Sequence, residues 1–226
     1  MIPIRDTLIS RSAPLVTYAL IGLNCVIYFW DREWRLFGPN VVFGDLAMRP
    51  NEVIAAISGS ADPFALVTIF TSIFLHGSLL HLLGNMLFLL TFGSSVEAAL
   101  GGPRFALYYL FWGVFASATH IFVDPGSDIP VVGASGAIGG ALGCYFLLFP
   151  GNKIEILIPW IPVPMVASAW VLLGTWFLFQ IFMPQEGVAN WAHAGGFLAG
   201  MLTVLVMGGR QAVLKGKDLE LSHEFD

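Results

Sequence analysis

Apolar residues gather along this chain in long blocks that carry no charge. Six stretches without Asp, Glu, Lys or Arg run over about 13–30, 79–96, 105–122, 131–149, 164–183 and 188–208. A bilayer core takes about 20 apolar residues as helix. The pattern therefore predicts an all-α membrane protein, a bundle of six transmembrane helices. A further apolar run, 64–75, has only Gly77 and Ser78 beyond His76 before the next block begins. It is too short and too close to be a separate span, and reads as a re-entrant or interfacial segment.

Composition agrees. The chain is 57% hydrophobic and 11% charged, against about 25% charged in a soluble domain. This excludes an ordinary soluble domain and leaves no basic surface for nucleic acid; the expected partner is the lipid bilayer. With six spans the two termini share a side with the loops around Arg104 and Lys153. That side collects Arg5, Arg11, Arg104, Lys153, Arg210, Lys215 and Lys217, whereas Arg32, Arg35 and Arg49 fall on the other. Positive charge marks the cytoplasmic side, so both termini are expected there. The division is a cytoplasmic N-terminus at 1–12, a six-helix domain at 13–208 with a partly embedded outer loop at 31–78, and a cytoplasmic tail at 209–226. No cleavable signal is expected, and a prokaryotic plasma membrane is the simplest address. Cys25 and Cys144 sit in apolar runs and read as buried thiols rather than a disulfide.

Polar groups in hydrocarbon are expensive and call for a reason. Spans two, four and six enter from the same face. They carry His81 and Asn85, Ser135, and His193 near their starts, so four residues far apart in sequence fall at similar depth. From Val188 to His193 is about 8 Å of helix, submerged yet within reach of water. Small residues recur every fourth position, at Gly136 and Gly140, at Gly139 and Gly143, and at Ala192, Gly196 and Gly200. Such spacing lets two helix backbones approach closely, which would make Ser135 and His193 neighbours. The same spacing also serves packing without chemistry.

A lone membrane serine usually bonds its own backbone. Gly133 and Gly136 around Ser135 permit instead a tight turn, with the hydroxyl at a helix N-terminus beside unsatisfied N–H groups. His193 is either a packing histidine or the general base for that serine. No carboxylate lies within the spans except at their ends, so a Ser–His pair would be a dyad whose imidazole is oriented by something else. His81 and Asn85, four apart, share a helical face and can both donate to an oxyanion. His76, His81, His120 and His193 lack metal-ligand spacing, so neither a metal nor another cofactor is expected. His120 reads as interfacial, Gln180 as a helix–helix contact, and Glu97 with Arg104 as an interfacial ion pair. Together these residues point to a serine protease working inside the bilayer.

At this point the chain resembles the rhomboid family of intramembrane serine proteases. The family's Gly-x-Ser-Gly motif is matched by Gly133-Ala134-Ser135-Gly136, and its His-x-x-x-Asn motif by His81 and Asn85. Ala192, His193, Gly196 and Gly200 match its Ala-His-x-x-Gly-x-x-x-Gly motif. The motifs stand in the family's order, over roughly 15–206. The flanking Phe74-Leu75-His76-Gly77 and Gly187-Val188-Ala189-Asn190-Trp191 look like the bacterial branch. The resemblance implies Ser135 as nucleophile, His193 as base, and His81, Asn85 and the Ser135 N–H as oxyanion hole. It implies transmembrane proteins as substrates. Two departures stand out. Val67-Thr68-Ile69-Phe70 occupies the place of the family's frequent Trp-Arg pair, and Gly139 that of an aromatic ring some members set against the histidine. Competing readings are a non-catalytic rhomboid-like chaperone or quality-control factor, and a small transporter. Intact Ser135 and His193 argue against the first, and the lack of a mid-membrane charge against the second.

Overall fold

The computed structural model describes residues 2–10, 12–41, 43–158, 163–217 and 219–221. Arg11, Asp218 and residues 222–226 of the tail lie outside them. The chain is mostly helical. It opens with two strands, β1 (Ile2–Asp6) and β2 (Leu8–Ser10), followed by α1 (Leu15–Trp30), α2 (Phe43–Leu46), α3 (Pro50–Ile57) and α4 (Ala65–Thr71). A 3-10 turn over Ser72–Phe74 ends α4. Helix α5 (Leu79–Phe88) runs through a π turn, Leu89–Gly93, into α6 (Ser94–Leu100); α7 (Gly102–Val123) and α8 (Ser135–Leu148) follow. Strands β3 (Lys153–Leu157) and β4 (Met165–Ser168) precede α9 (Ala169–Phe182), α10 (Asn190–Val206), α11 (Gly209–Leu214) and β5 (Leu219–Leu221). Among the described residues two helical rods, Leu79–Leu100 and Gly102–Val123, have the length and apolarity to cross a membrane, and five other apolar helices are shorter.

Helix α8 is the axis of the molecule. Every residue from Gly136 to Tyr145 is buried, as expected of a helix that is apolar all round and enclosed by others. Helix α10 lies against it at backbone contact. A Cβ on Gly196 would run into the Gly136 carbonyl, and one on Gly200 into that of Gly140. The glycines of α8 divide their work. Gly139 and Gly143 face α10, while Gly136 and Gly140 accommodate Ala116 and Trp112 of α7. Trp112 is fully buried and its indole N–H donates to Thr203 Oγ1 of α10 at 2.9 Å, so α7, α8 and α10 form one packed unit.

The chain is mostly helical as expected, but among the described residues two small sheets correct the all-α reading. Antiparallel strands order as β1-β3-β4, and β2 pairs with β5. Lys153-Ile154-Glu155-Ile156-Leu157 alternates in period two, and Ile154 and Ile156 are buried. Such five-residue alternation is a strand signal that a search for membrane-length apolar blocks passes over. Helix α9 likewise begins at Ala169, because Met165–Ser168 is spent on β4.

The expected ion pair of Glu97 with Arg104 is also corrected. Glu97 is buried and turns to the start of α1. Its carboxylate accepts from the backbone N–H groups of Val16 at 2.9 Å and Thr17 at 2.7 Å, and from the Thr17 hydroxyl at 2.8 Å. Pro14 at the head of α1 offers no capping side chain, so a carboxylate about 80 residues away along the chain satisfies the helix's first donors and meets the positive end of its dipole. Cys25 and Cys144 are free thiols.

Candidate active site

Ser135 is the first residue of α8. The segment leading to it is held from two sides. Val131 and Met48 exchange backbone hydrogen bonds of 2.8 and 3.2 Å, and the Gly133 N–H donates to the Ser72 carbonyl at 2.9 Å. Gly133 has φ +123°, and a Cβ there would stand 2.8 Å from the His81 ring atoms Cε1 and Nε2. Only glycine permits both this backbone and this approach. The chain thereby enters α8 beside His81, with Ser135 half-buried and the first N–H groups of α8 lacking intrahelical acceptors.

Helix α10 brings His193 to the serine. Its Nε2 lies 2.8 Å from Ser135 Oγ. That contact depends on the glycine faces of α8 and α10, since any larger residue at Gly196 or Gly200 would push the backbones apart. The other ring nitrogen, Nδ1, lies 2.8 Å from Gln180 Oε1 of α9, and the Trp176 ring stacks on the imidazole at 5.8 Å between centroids. Sequence reasoning took Gln180 for a helix–helix contact and did not single out Trp176. No motif or spacing marks either, because their relation to His193 exists only once α9 packs on α10. The ring cannot come from position 139, where even a Cβ would stand 2.8 Å from the His193 carbonyl oxygen.

Ser78 caps α5, its hydroxyl accepting from the His81 N–H at 3.1 Å, which sets the first turn of that helix. His81 and Asn85 both line the cavity that holds Ser135 and His193. The Asn85 side-chain NH₂ donates to His76 Nε2 at 3.0 Å, leaving its second hydrogen uncommitted among the described residues. His76 is buried, and Arg32 Nη2 donates to its carbonyl at 2.9 Å. Arg32 is itself 3% exposed, paired with Asp31 at 3.1 Å and laid over the Tyr28 ring at 3.8 Å. An arginine from the end of α1 thus anchors the loop that lacks the family's Trp-Arg pair.

The cavity measures about 570 Å³, within the range of about 300–1,000 Å³ typical of ligand clefts. His120, Asp124 and Ser127 share its lining, so His120 belongs to the cavity wall rather than a remote interface. Among the described residues no three His, Cys, Asp or Glu side chains gather as a metal site requires. A hydroxyl, an imidazole on its Nε2 side and amide and imidazole donors around one water-accessible space can attack a carbonyl and stabilise the resulting oxyanion.

A rhomboid domain model matches residues 63–210. Rhomboid protein 1, mitochondrial, of Saccharomyces cerevisiae is 30% identical over 201 residues, 83% of this chain and 51% of that protein. Rhomboid protease GluP of Bacillus subtilis is 32% identical over 149 residues, 66% of this chain and 27% of its own length. Inactive rhomboid protein 1 of Papio anubis is 31% identical over 132 residues, 58% of this chain and 14% of that protein. The chain spans about half or less of these curated relatives. One is mitochondrial by name, so the likeness lends no support to a prokaryotic plasma membrane in particular. Matched over more than half its length by the family model, the chain belongs to the rhomboid family, whose members are membrane proteins.

Proposed function

We propose that this protein is an intramembrane serine endopeptidase that cleaves membrane proteins in or near their transmembrane segments. The observation that carries the reading is the 2.8 Å approach of His193 Nε2 to Ser135 Oγ at the wall of an open cavity. In this reading His193 removes the hydroxyl proton as Ser135 Oγ attacks the scissile carbonyl. His81, Asn85 and the Ser135 N–H receive the oxyanion. His193 then gives its proton to the leaving amine, and a cavity water, deprotonated in turn by His193, hydrolyses the acyl ester and regenerates the serine. The substrate is a transmembrane segment that can unwind locally, since a helical amide is hydrogen-bonded and shielded.

The reading includes six spans within 13–208, formed by α1, α5 with α6, α7, α8, α9 and α10. Both termini, 1–12 and 209–226, are cytoplasmic, 31–78 is a partly embedded outer loop, and the cavity opens to the extracytoplasmic side. Several of these helices are shorter than a bilayer is thick. For α8 this is compatible with spanning, because non-helical backbone is tolerated at membrane depth where protein surrounds it or a cavity adjoins it. Val131 to Ala134 meets both conditions, held by Met48 and Ser72 and lining the cavity at Val131 and Val132.

A non-catalytic rhomboid-like role is the second reading, favoured by the likeness to an inactive relative. The serine–histidine contact favours catalysis over it. Detergent-purified protein incubated with a model transmembrane substrate should cleave it, and Ser135→Ala should not. A fluorophosphonate probe should label Ser135 in the folded protein. Labelling that survives Ser135→Ala, or a wild-type protein that never cleaves, sends the assignment to the non-catalytic reading.

A further inference from the structure

We infer that Gln180 is the positioning residue of the proposed dyad: its side-chain carbonyl holds His193 with the proton on Nδ1 and the Nε2 lone pair turned to Ser135. The inference rests on the protease reading and supplies what a dyad without a carboxylate lacks, a group that orients the base.

The assignment of the proton follows from a chain of donors that begins at the backbone. The Gln185 N–H, which can only donate, meets Asn190 Oδ1 at 3.1 Å. That identifies the oxygen of the Asn190 amide, so its other atom is the nitrogen. This nitrogen donates to Gln180 Oε1 at 2.9 Å. Gln180 Nε2 in turn donates to the Trp176 carbonyl at 3.3 Å. The Gln180 amide is thus defined from both ends, and the atom 2.8 Å from His193 Nδ1 is an oxygen that can only accept. A neutral imidazole protonated at Nδ1 has its lone pair on Nε2, the atom facing Ser135 Oγ at 2.8 Å. Both amides are nearly enclosed, Gln180 at 8% and Asn190 at 5% exposure, so water does not compete for these bonds. The Trp176 ring fixes the imidazole plane.

The chemistry of the acceptor matters. A buried carboxylate in low-dielectric surroundings carries a heavy desolvation cost, whereas an amide carbonyl orients the ring and adds no charge. Gln180 therefore contributes geometry and tautomer but no counter-charge to the imidazolium formed in turnover. Replacing the Asp of a Ser-His-Asp triad by an amide costs about 10⁴-fold in kcat. Loss of a neutral acceptor should cost less, about 10- to 100-fold.

The experiment compares wild type, Gln180→Leu, Gln180→Glu and Ser135→Ala on one transmembrane substrate, reading kcat, KM, melting temperature and the pH profile of kcat/KM. Gln180→Leu should lower kcat about 10- to 100-fold with KM within about threefold. Gln180→Glu should restore most of the turnover. Its carboxylate would favour the charged imidazole, so the acid limb of the profile should move to higher pH. His81, His120 and Asp124 face the same cavity and are unchanged in every variant, so a moved limb reports on His193 and the carboxylate placed against it. A residue that only ties α9 to α10 would lower the melting temperature and leave the limb in place. Unchanged kcat in folded Gln180→Leu overturns the inference, as does a Gln180→Glu limb identical to wild type; the second comparison decides alone if the leucine variant does not fold. Absence of cleavage by the wild type would instead overturn the protease reading itself.

Discussion

The two ends of α8 treat polar side chains in opposite ways. At its start Ser135 has an imidazole on one side and a cavity of about 570 Å³ on the other. Spare capacity surrounds it: among the described residues Asn85 has one uncommitted amide hydrogen, and His120 Nδ1, on the cavity wall, is buried with no hydrogen-bond partner. At the other end Tyr145 is closed in. Its hydroxyl donates to Asp6 Oδ2 at 2.7 Å and accepts from Asn152 at 3.2 Å, while Ser95 donates to the same carboxylate oxygen at 2.7 Å. Thr7 and Lys153 exchange two further bonds beside it. One end is saturated and fastens β1 to the helices. The other leaves donors unspent around a space, which suits the oxyanion of the proposed reaction.

With the proposed protease activity, the contrast predicts that damage at the first end removes turnover and damage at the second removes stability. The largest effect should come from His193→Ala. Without a base the Ser135 hydroxyl stays protonated, and initial rates should fall by at least about 1,000-fold while the melting temperature changes little. Asn85→Ala at the same end should be milder, about 10- to 100-fold, because His81 and the Ser135 N–H remain. Near-wild-type turnover in His193→Ala would erase the contrast at its source. Unfolding of Asn85→Ala would move that residue to the structural side.

A change on α10 opposite the middle of α8 should strike both ends. Gly200→Ala places a methyl against the Gly140 carbonyl, and backbone cannot yield as a side chain can. Overpacking of this kind costs about 1–3 kcal/mol, and the displaced α10 carries His193 with it. A lowered melting temperature together with reduced turnover per folded molecule is expected, measured by thermal denaturation and probe-titrated rates. Loss of stability alone would show that the proposed dyad tolerates a shift of α10.

The smallest effect is a slope. Burial raises the Asp6 carboxyl above its ordinary value of 3.8, more than its hydrogen bonds from Ser95 and Tyr145 lower it. The folded protein therefore holds this proton to higher pH than the unfolded chain does. Its contribution to stability is complete below the ordinary carboxylate value and is lost as pH rises through the raised folded one. Asp6→Asn has no proton to lose, so melting temperatures taken from acid to neutral pH should shift in the variant's favour as pH rises. Parallel curves would remove Asp6 from the titrating groups that matter.

Much of this molecule was legible before folding. Charge-free blocks announced apolar helices, because the extent of hydrocarbon a helix can cross is a property of one segment read in order. Ser135, His193, His81 and Asn85 could be picked out as chemistry-bearing types in costly surroundings for the same reason. What escaped the sequence depends on which surfaces meet. Glu97 looked like a partner for Arg104, three residues beyond the turn, and instead caps α1. Lys153–Leu157 looked like a loop and is a strand, because β1 arrives from the far end of the chain to pair with it. Arg32 holds the His76 carbonyl only because the end of α1 comes within hydrogen-bond distance of that loop.

By itself, then, the sequence determined the apolar character of the helices, the small-residue faces that let α8 and α10 touch, and the polar groups available between them. Tertiary structure alone decided that Gln180 and Trp176 grip His193, and that Gly133 seats His81 beside Ser135. Hydrophobicity and residue type act one segment at a time. Hydrogen bonds a few ångströms long between separate helices exist only after packing has set the distance between backbones.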